Sequence, residues 1–453
     1  MRHYHDSTDF RRSLICLVLP ITIQQFMLNL VSVTDAVMLG FVNQTFLSAV
    51  SLAGQVQFVL SLSAGSLATG AGILAAQYWG REDRNTVERI IPIAMRAGSL
   101  IGLAFTLAAL FCPRPIMLFF TSEEALIAAG ATYLQAAAPS YLLFSVSQIC
   151  LCALKNAGKA KVSSIINSTA VAVNIVLNAL LIFGLFGFPR LGIAGAAYAT
   201  VIARLVELVW VILYTQKPEC IHIRWGRLFR KDPILAGDFW KYTLPVLGAG
   251  LVWGVGVTMY SVILGHMGSD AVAANSIVTM IRNILFCLCR GISQGAGILV
   301  GNLLGSGNLP KAKDYAARLT RLAAIFGVAT GALLIAVSPA IVALAPLTET
   351  ARGYLYGMVF FTALNTVAKS VNTTVLDGIF NAGGDAKFDI LGNAFAMWSF
   401  SIPLGFIAAF WLKWPVLAVA LIVNADEVVK IPAVFLHYKK YVWLKDLTRK
   451  IED

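Results

Sequence analysis

The sequence predicts an all-α polytopic membrane protein, with twelve transmembrane helices in two six-helix pseudo-symmetric lobes around a central cavity. Three observations predict it: the composition, the apolar runs, and a repeat at one fixed offset. Of 453 residues, 58% are hydrophobic and 13% are charged, whereas soluble domains average roughly 45–50% apolar and about 25% charged. The mean hydropathy of +0.76 points the same way.

Apolar windows of about 20 residues, the length that crosses a bilayer as a helix, recur twelve times along the chain. The predicted spans are 13–39, 46–72, 90–112, 128–153, 162–187, 193–215, 237–265, 270–298, 315–345, 352–381, 389–411 and 414–437. The first run follows Arg11 and Arg12 and is too long for the apolar part of a cleavable signal peptide. We therefore expect it to remain in the membrane as the first helix.

The net charge of +12 is distributed unevenly over the loops. Basic residues concentrate at both termini and in alternate loops, and the remaining loops hold only Arg114, Arg190, Arg352 and Lys413. Cytoplasmic loops of membrane proteins carry such an excess of Lys and Arg. The pattern predicts a multi-pass protein of the cell (plasma or inner) membrane, surrounded by lipid, with both termini in the cytoplasm, and it does not indicate nucleic-acid binding.

The chain resembles itself 225 residues later. GAGIL occurs at 70–74 and again at 295–299, and NAG occurs at 156–158 and again at 381–383. Several matches at one offset indicate a duplication. Because each half would have six spans, both halves start on the same side of the membrane, which makes a parallel repeat with a central cavity between its halves.

The repeat and the loops predict four regions. They are an N-lobe at 1–216, a cytoplasmic linker at 217–236, a C-lobe at 237–438 and a cytoplasmic tail at 439–453.

Several short motifs, in order along the chain, resemble those of the multidrug and toxic compound extrusion (MATE) family. They are Pro20 with VTD at 33–35 and LG at 39–40, QYWGR at 77–81, GIAGAAYAT at 192–200, and AGGD at 382–385 with Lys387. The resemblance implies a two-lobed antiporter that uses a proton or sodium gradient to expel drugs, toxic organic compounds or metabolites, which are often cationic and amphipathic. It implies small-molecule substrates and no resident cofactor, and we expect a monomer.

Asp35 is the first candidate for the coupling ion. A charge at the bilayer centre costs at least ~2.5–3.5 kcal/mol and therefore needs a reason. Asp35 lies deep in the first span without a basic residue within two turns. It is predicted to bind H⁺ or Na⁺, unless it lies near the outer helix end and simply reaches water.

Asn174, Asn178 and Thr200 would complete an oxygen-rich shell suited to Na⁺. The two asparagines are four residues apart, so they share one helix face. The alternatives are hydrogen bonds between helices for the asparagines, and a bond to a helix carbonyl for Thr200. MATE relatives often carry an acid at the position of Asn178, so the amide here removes one negative charge from the site. Residue Tyr260 stands 225 positions after Asp35, so the first half alone is predicted to hold the ion.

Other charged residues within the predicted spans are weaker candidates for binding the coupling ion. Arg204 and Glu207 are three residues apart on one helix, as are Glu427 and Lys430, and the members of each pair are expected to neutralise each other. The resemblance places a second acidic pair of some relatives at Trp253 and Ser370 here, so that site is absent in its usual form. Asp377 is a possible substitute, or else a residue at a helix end.

A largely apolar cavity with a few polar groups would bind substrate. The candidates are Gln24, Met27, Trp253 and Tyr260, because aromatic faces attract cations and methionine adapts to varied shapes. Packing between helices or against lipid is the alternative for each. Arg282 in a cavity would repel organic cations.

Two other functions compete with efflux. A flippase for a lipid-linked sugar or another anionic metabolite shares the two-lobed plan, and Arg204 and Arg282 would suit it. A membrane-embedded enzyme is not expected, because the sequence has no H-E-x-x-H motif and no Cys/His spacing typical of a metal site.

Overall fold

The computed structural model describes residues 2–217, 221, 226, 232–344 and 347–449, and all regular structure in these residues is helical. A bilayer requires this, because a helix satisfies its backbone polar groups internally. The predicted all-α membrane fold is confirmed. The predicted linker at 217–236 and the predicted tail at 439–453 lie partly outside the described residues.

The first half contains seven α-helices in its described part. They are α1 (Arg2–Val42), α2 (Gln44–Gly80), α3 (Arg84–Phe111), α4 (Pro113–Phe120), α5 (Glu124–Asn156), α6 (Ala160–Phe183) and α7 (Ile193–Thr215). Asn43 and Asp83 accept hydrogen bonds from Thr45 N and Thr86 N at the starts of α2 and α3, as helix N-caps do. The predicted connection between the spans 90–112 and 128–153 contains α4, in which Pro113 begins the helix, a position that suits proline.

The second half has more interruptions. Its α-helices are α8 (Pro233–Gly265), α9 (Ser269–Gly305), α10 (Leu309–Leu344), α11 (Glu349–Thr373), α12 (Ala386–Asn393), α13 (Ile402–Phe406), α14 (Val416–Val423) and α15 (Asp426–Lys439). Three π-helical segments continue them: Thr374–Phe380 after α11, Ala394–Ser401 between α12 and α13, and Ile407–Trp411 after α13. Residues 386–411 thus form one continuous helical span.

The duplication appears in the helix boundaries themselves. Three pairs of helices begin 225 residues apart: α2 and α9 at Gln44 and Ser269, α3 and α10 at Arg84 and Leu309, and α5 and α11 at Glu124 and Glu349. The halves therefore repeat one helical plan.

Ten helices in the described part of the chain are long and apolar enough to cross a membrane. The predicted spans 352–381 and 414–437 are not among them. Polar residues such as Asn365, Lys369 and Asn372 lower the hydropathy of the first. The second is divided at Asn424 into α14 and α15, and the eight residues of α14 are fewer than a span needs.

The helices form two compact units. One contains the described residues between 15 and 243, and the other contains 244–449 together with 2–14. The start of α1 joins the second unit through Phe10, whose ring lies 4.9 Å from that of Tyr315. The division falls inside α8, between Thr243 and Leu244. The predicted lobe boundaries at 216 and 237 stay predictions.

Close contact between α6 and α7 shapes the interior of the first unit. A Cβ atom on Gly195 would lie 2.5 Å from the carbonyl oxygen of Leu181, so a larger residue would separate the two helices. Gly184, with φ of 72°, ends α6 in the left-handed conformation, which glycine adopts readily.

Candidate ion-binding site

The four predicted residues of the first unit meet in one hydrogen-bonded chain. Asn178 Nδ2 donates to Asp35 Oδ1 and also to Asn174 Oδ1, at 3.2 Å. Asn174 Nδ2 donates to Thr200 Oγ1 at 3.3 Å, and Thr200 donates to the carbonyl of Ala196 at 3.0 Å. Helices α1, α6 and α7 therefore place one carboxylate, two amides and a hydroxyl side by side.

The chain includes an acceptor with no partner. Asn178 is fully buried, and its Oδ1 atom has no hydrogen bond. Buried polar atoms are rarely left unsatisfied, but other buried amide oxygens in the described residues, such as those of Asn167 and Asn372, lack a partner too. The acceptor of Asn178 differs in that its amide contacts Asp35. If that amide turned, a cation bound at Asp35 would be held by carboxylate, amide and hydroxyl oxygens, the ligands that hard cations prefer.

Asp35 is the single carboxylate of this site. It is partly buried and forms no ion pair with any described side chain. Arg204 acts on it electrostatically, but the guanidinium of Arg204 is bound to Glu207 at 2.9 Å. No group of three or more His, Cys, Asp or Glu that could hold a metal ion occurs in the described part of the chain.

Glu207 is the centre of a separate buried cluster in the first unit. Besides Arg204, it accepts hydrogen bonds from Asn167 Nδ2 at 2.6 Å and Ser147 Oγ at 3.0 Å. The predicted local pairing of Arg204 with Glu207 is present, and three helices share this carboxylate. A fully neutralised and bonded carboxylate of this kind is suited to holding helices together.

The second unit contains a denser network, which we call the C-unit network. Lys369 Nζ lies 2.6 Å from Glu427 Oε1, and Lys430 Nζ lies 3.3 Å from the same oxygen. Asn372 Nδ2 donates to Glu427 Oε2 at 2.9 Å, and Lys430 also reaches Asp426 at 3.4 Å. Helices α11 and α15 are joined by these contacts.

The C-unit network extends to α12 through Asn393. Lys430 donates to Asn393 Oδ1 at 2.8 Å, and Asn393 donates to Asp389 Oδ1 at 2.8 Å. Asp389 and Lys430 are each 4% exposed, so this part is sealed from solvent. Asp377, in the π-helical segment after α11, is exposed and acts on the network electrostatically.

The predicted substrate residues divide between surface and interior. Met27, Trp253 and Arg282 are partly exposed. Gln24 is buried and accepts from Ser163 Oγ at 3.4 Å, and Tyr260 is packed in the core of the second unit. The structure thus places Gln24 and Tyr260 inside helix packing, which is the alternative that the sequence left open.

Sequence reasoning missed most of the C-unit network. The pair of Glu427 and Lys430 follows from their spacing of three, but Asp389, Asn393 and Asp426 were not singled out. Their signal was present, since charged residues inside apolar spans are functional or structural candidates.

A membrane-spanning helical chain whose two halves repeat one helical plan is typical of secondary transporters. The MatE family model matches residues 20–180 and 248–407, one copy in each half. The chain belongs to the multidrug and toxic compound extrusion family, whose members are transporters.

Curated relatives cover most of the chain. It is 22% identical over 433 residues to the uncharacterized transporter YisQ of Bacillus subtilis (strain 168), covering 96% of this chain and 95% of that protein. It is 30% identical over 338 residues to the probable multidrug resistance protein NorM of Rhizobium meliloti (strain 1021), covering 73% and 71%.

Solved structures share the fold along the same length. A MOP superfamily transporter from Pyrococcus furiosus aligns with a TM-score of 0.87 at 16% identity, covering 96% of both chains. A MATE protein crystallised in a bent conformation aligns with a TM-score of 0.86, again at 16% identity and with 96% of both chains covered.

Proposed function

We propose that this protein is a secondary active exporter of amphipathic organic compounds, including drugs and metabolites, that exchanges them for H⁺ or Na⁺ by alternating access. The observation that carries the proposal is Asp35, a span carboxylate without an ion pair among the described side chains, which accepts a hydrogen bond from the buried amide of Asn178. Such a group can bind and release a cation, whereas a neutralised one such as Glu207 cannot do so without breaking its pairs.

Cation exchange at Asp35 supports coupling because it changes the charge of a group inside the membrane. An uncompensated carboxylate at that depth is costly, so its occupied and empty forms favour different surroundings. A ligand shifts a conformational equilibrium only by its differential affinity for the two states. A cation that binds one state better would therefore drive the transporter between them.

The donor geometry favours H⁺ as the coupling ion, with Na⁺ as the second candidate. Asn178 directs its amide nitrogen at Asp35, and its oxygen faces away. A proton on Asp35 requires no change in that amide, whereas Na⁺ would have to recruit its oxygen by rotation. The site also has one carboxylate only, so the charge attracting Na⁺ is small.

Comparison supports efflux over the flippase alternative. Relatives named as probable multidrug resistance proteins match most of the chain, and similar solved structures include MATE proteins in outward-facing, straight and bent conformations. We propose that the protein acts as a monomer in the cell (plasma or inner) membrane with both termini in the cytoplasm. A green fluorescent protein fused to the C-terminus checks the orientation. The fused domain becomes fluorescent when it folds in the cytoplasm, so we expect the fusion to fluoresce.

The test is transport in reconstituted vesicles under an imposed pH gradient and, separately, an imposed Na⁺ gradient. The dyes are fluorescein and rhodamine 6G, and the variant is Asp35→Asn. We expect gradient-driven transport to fall by about two orders of magnitude, as for loss of an essential group, because the amide cannot exchange a cation.

The matched control is Asp314→Asn. Asp314 pairs with Arg318 at 2.8 Å, and its side chain is 47% exposed, so its loss should leave transport unchanged. Gel filtration and thermal unfolding establish that both variants fold. Full gradient-driven transport by folded Asp35→Asn protein would refute the role of Asp35, and absence of transport of both dyes by the wild type under both gradients would refute the proposed function.

A further inference from the structure

Three residues on α9 form a stripe on one side of that helix. Arg282, Phe286 and Arg290 are spaced by four, so they follow one ridge of the helix and span about 12 Å along it at ~1.5 Å per residue. All three are partly exposed. We call this ridge the α9 stripe, and α9 belongs entirely to the second unit.

The centre of the α9 stripe is an aromatic platform. Trp253 of α8 stacks on Phe286 with ring centroids 6.0 Å apart and planes inclined by 21°. Arg290 lies 5.0 Å from the Phe286 centroid, and Lys369 lies 4.9 Å from it. Two flat rings are thus held beside cations, an arrangement that cation–π attraction stabilises.

The guanidinium groups of the α9 stripe are not neutralised by carboxylates. Arg282 donates to Asn424 Oδ1 at 3.1 Å and to Thr279 Oγ1 at 3.5 Å, both uncharged. Neither Arg282 nor Arg290 forms an ion pair with a described side chain, in contrast to Lys369, which is bound to Glu427. An unpaired arginine in a membrane span is costly and points to a functional partner.

Acidic groups do lie within electrostatic range of the stripe. Arg290 is the charge that acts most strongly on the exposed carboxylate of Asp377, and Asp426 acts on Arg282. Asp426, however, has its ion pair with Lys430. The guanidinium groups of the α9 stripe are therefore available to bind the acidic group of a ligand. The negative charge of Asp377 would weaken their attraction for that ligand but would not take its place.

We propose that the α9 stripe is a substrate-binding site for amphipathic organic anions. The flat body of the substrate would stack on Trp253 and Phe286, and its carboxylate, phosphate or sulfonate would be bound by Arg290 or Arg282. Guanidinium groups bind such acids through two parallel hydrogen bonds. The inference rests on the proposed export function. It narrows the exported substrates to organic anions, because two arginines without an ion pair attract anions and repel organic cations.

Direct binding tests this inference without any gradient. Fluorescein and rhodamine 6G share a xanthene ring system but carry opposite charges at pH 8. Their anisotropy is titrated with purified protein in detergent micelles at low and high salt. We expect fluorescein to bind at least about tenfold more tightly than rhodamine 6G, with a preference that falls as salt rises.

Substitutions in the α9 stripe should reduce or abolish the preference for fluorescein. Arg290→Gln and Arg282→Gln are each expected to weaken fluorescein binding by roughly tenfold, the effect of losing a hydrogen bond to a charged group, and to leave or improve rhodamine binding. Arg290→Lys should retain part of the affinity, and Asp377→Asn should strengthen fluorescein binding a few-fold by removing a repelling charge.

Arg318→Gln is the matched control, because Arg318 also lies over a phenyl ring, that of Phe10 at 5.6 Å, but stands on α10. Its fluorescein affinity should equal that of the wild type. Rhodamine binding as tight as fluorescein binding, no binding of either dye, or unchanged affinity in both folded glutamine variants would each overturn the proposal. Selective fluorescein binding by a protein that transports neither dye would uphold the site and refute only the export function.

Discussion

The site around Asp35 and the C-unit network accommodate charged groups within the membrane in opposite ways. In the first unit, Asp35 stands alone among amide and hydroxyl groups. In the second unit, Glu427 is held by two lysines and an amide. The helical plan is the same in both, with corresponding helices starting at a constant offset. Two halves with the same helical plan can therefore diverge, so that one holds a carboxylate free to exchange a cation and the other holds a carboxylate neutralised by lysines.

The difference teaches which centre should matter for stability and which for coupling. A buried ion pair that loses one partner leaves an uncompensated charge, which costs far more than the pair contributed. A carboxylate with only neutral partners leaves no opposite charge behind when it is neutralised. We therefore expect substitutions in the C-unit network to destabilise the fold, and substitutions around Asp35 to alter ion dependence.

The largest effect is expected for Glu427→Gln. Glu427 is 4% exposed, and its loss would leave the ammonium of Lys369 without its carboxylate. The free energy of unfolding should fall by about 3–5 kcal/mol, measured by denaturant or thermal unfolding in micelles.

Two comparisons sharpen this prediction. Glu349→Gln removes a carboxylate that is 93% exposed and paired with Arg352 at 3.4 Å, and it should change stability by less than about 1 kcal/mol. Adding Lys369→Gln to Glu427→Gln should restore part of the loss. Equal stability of the Glu427 and Glu349 variants would refute the stabilising role of the C-unit network, and with it the second unit's side of the contrast with Asp35.

The next effect is expected for Asn178→Asp, which gives the first unit a second carboxylate. Two acids with neutral oxygens attract Na⁺ more strongly than one, so we expect the Na⁺ concentration that half-saturates the site to fall by about tenfold. The readout is the Na⁺-induced rise in unfolding temperature in micelles, which does not depend on transport.

Asn43→Asp is the control for that substitution. Asn43 is exposed and caps α2 through Thr45 N at 2.9 Å, and aspartate caps a helix equally well. An unchanged response of Asn178→Asp protein to Na⁺, with Asn43→Asp behaving as the wild type, would contradict a cation site at Asp35.

The sequence predicted the helical spans and the repeat, and it singled out the side chains that meet at Asp35. Hydropathy and the 225-residue offset predicted the spans, and the spacing of Asn174 and Asn178 placed them on one face. Their contact with Asp35 came from family resemblance, because no local pattern joins residues 143 positions apart. Similarly, the C-unit network draws its side chains from α11, α12 and α15, and sequence spacing shows only the part within one helix.

Helix periodicity also failed to separate Trp253 from Tyr260. Residues seven apart share a face of a straight helix, yet Trp253 is partly exposed and Tyr260 is 6% exposed. Burial depends on which neighbouring helix covers each turn. The π-helical segments after α11 and around α13 could not be predicted from the sequence either, because one additional residue in a helical turn does not change the hydropathy pattern.

The smallest effect is expected for Thr200→Val, which probes the end of the hydrogen-bonded chain. Its hydroxyl accepts from Asn174 at 3.3 Å, and valine would leave that buried amide without an acceptor at a cost of about 1–3 kcal/mol. Because Asn174 in turn accepts from Asn178, a freed Asn174 would loosen the amide that orients Asp35. Gradient-driven dye transport should drop a few-fold, and the free energy of unfolding should fall by no more than that cost. Thr330→Val is the control, since Thr330 also donates to the carbonyl four residues back, at 2.7 Å, but lies partly exposed on α10. If Thr200→Val loses stability yet transports normally, Thr200 only binds its own helix, and the shell around Asp35 ends at the asparagines.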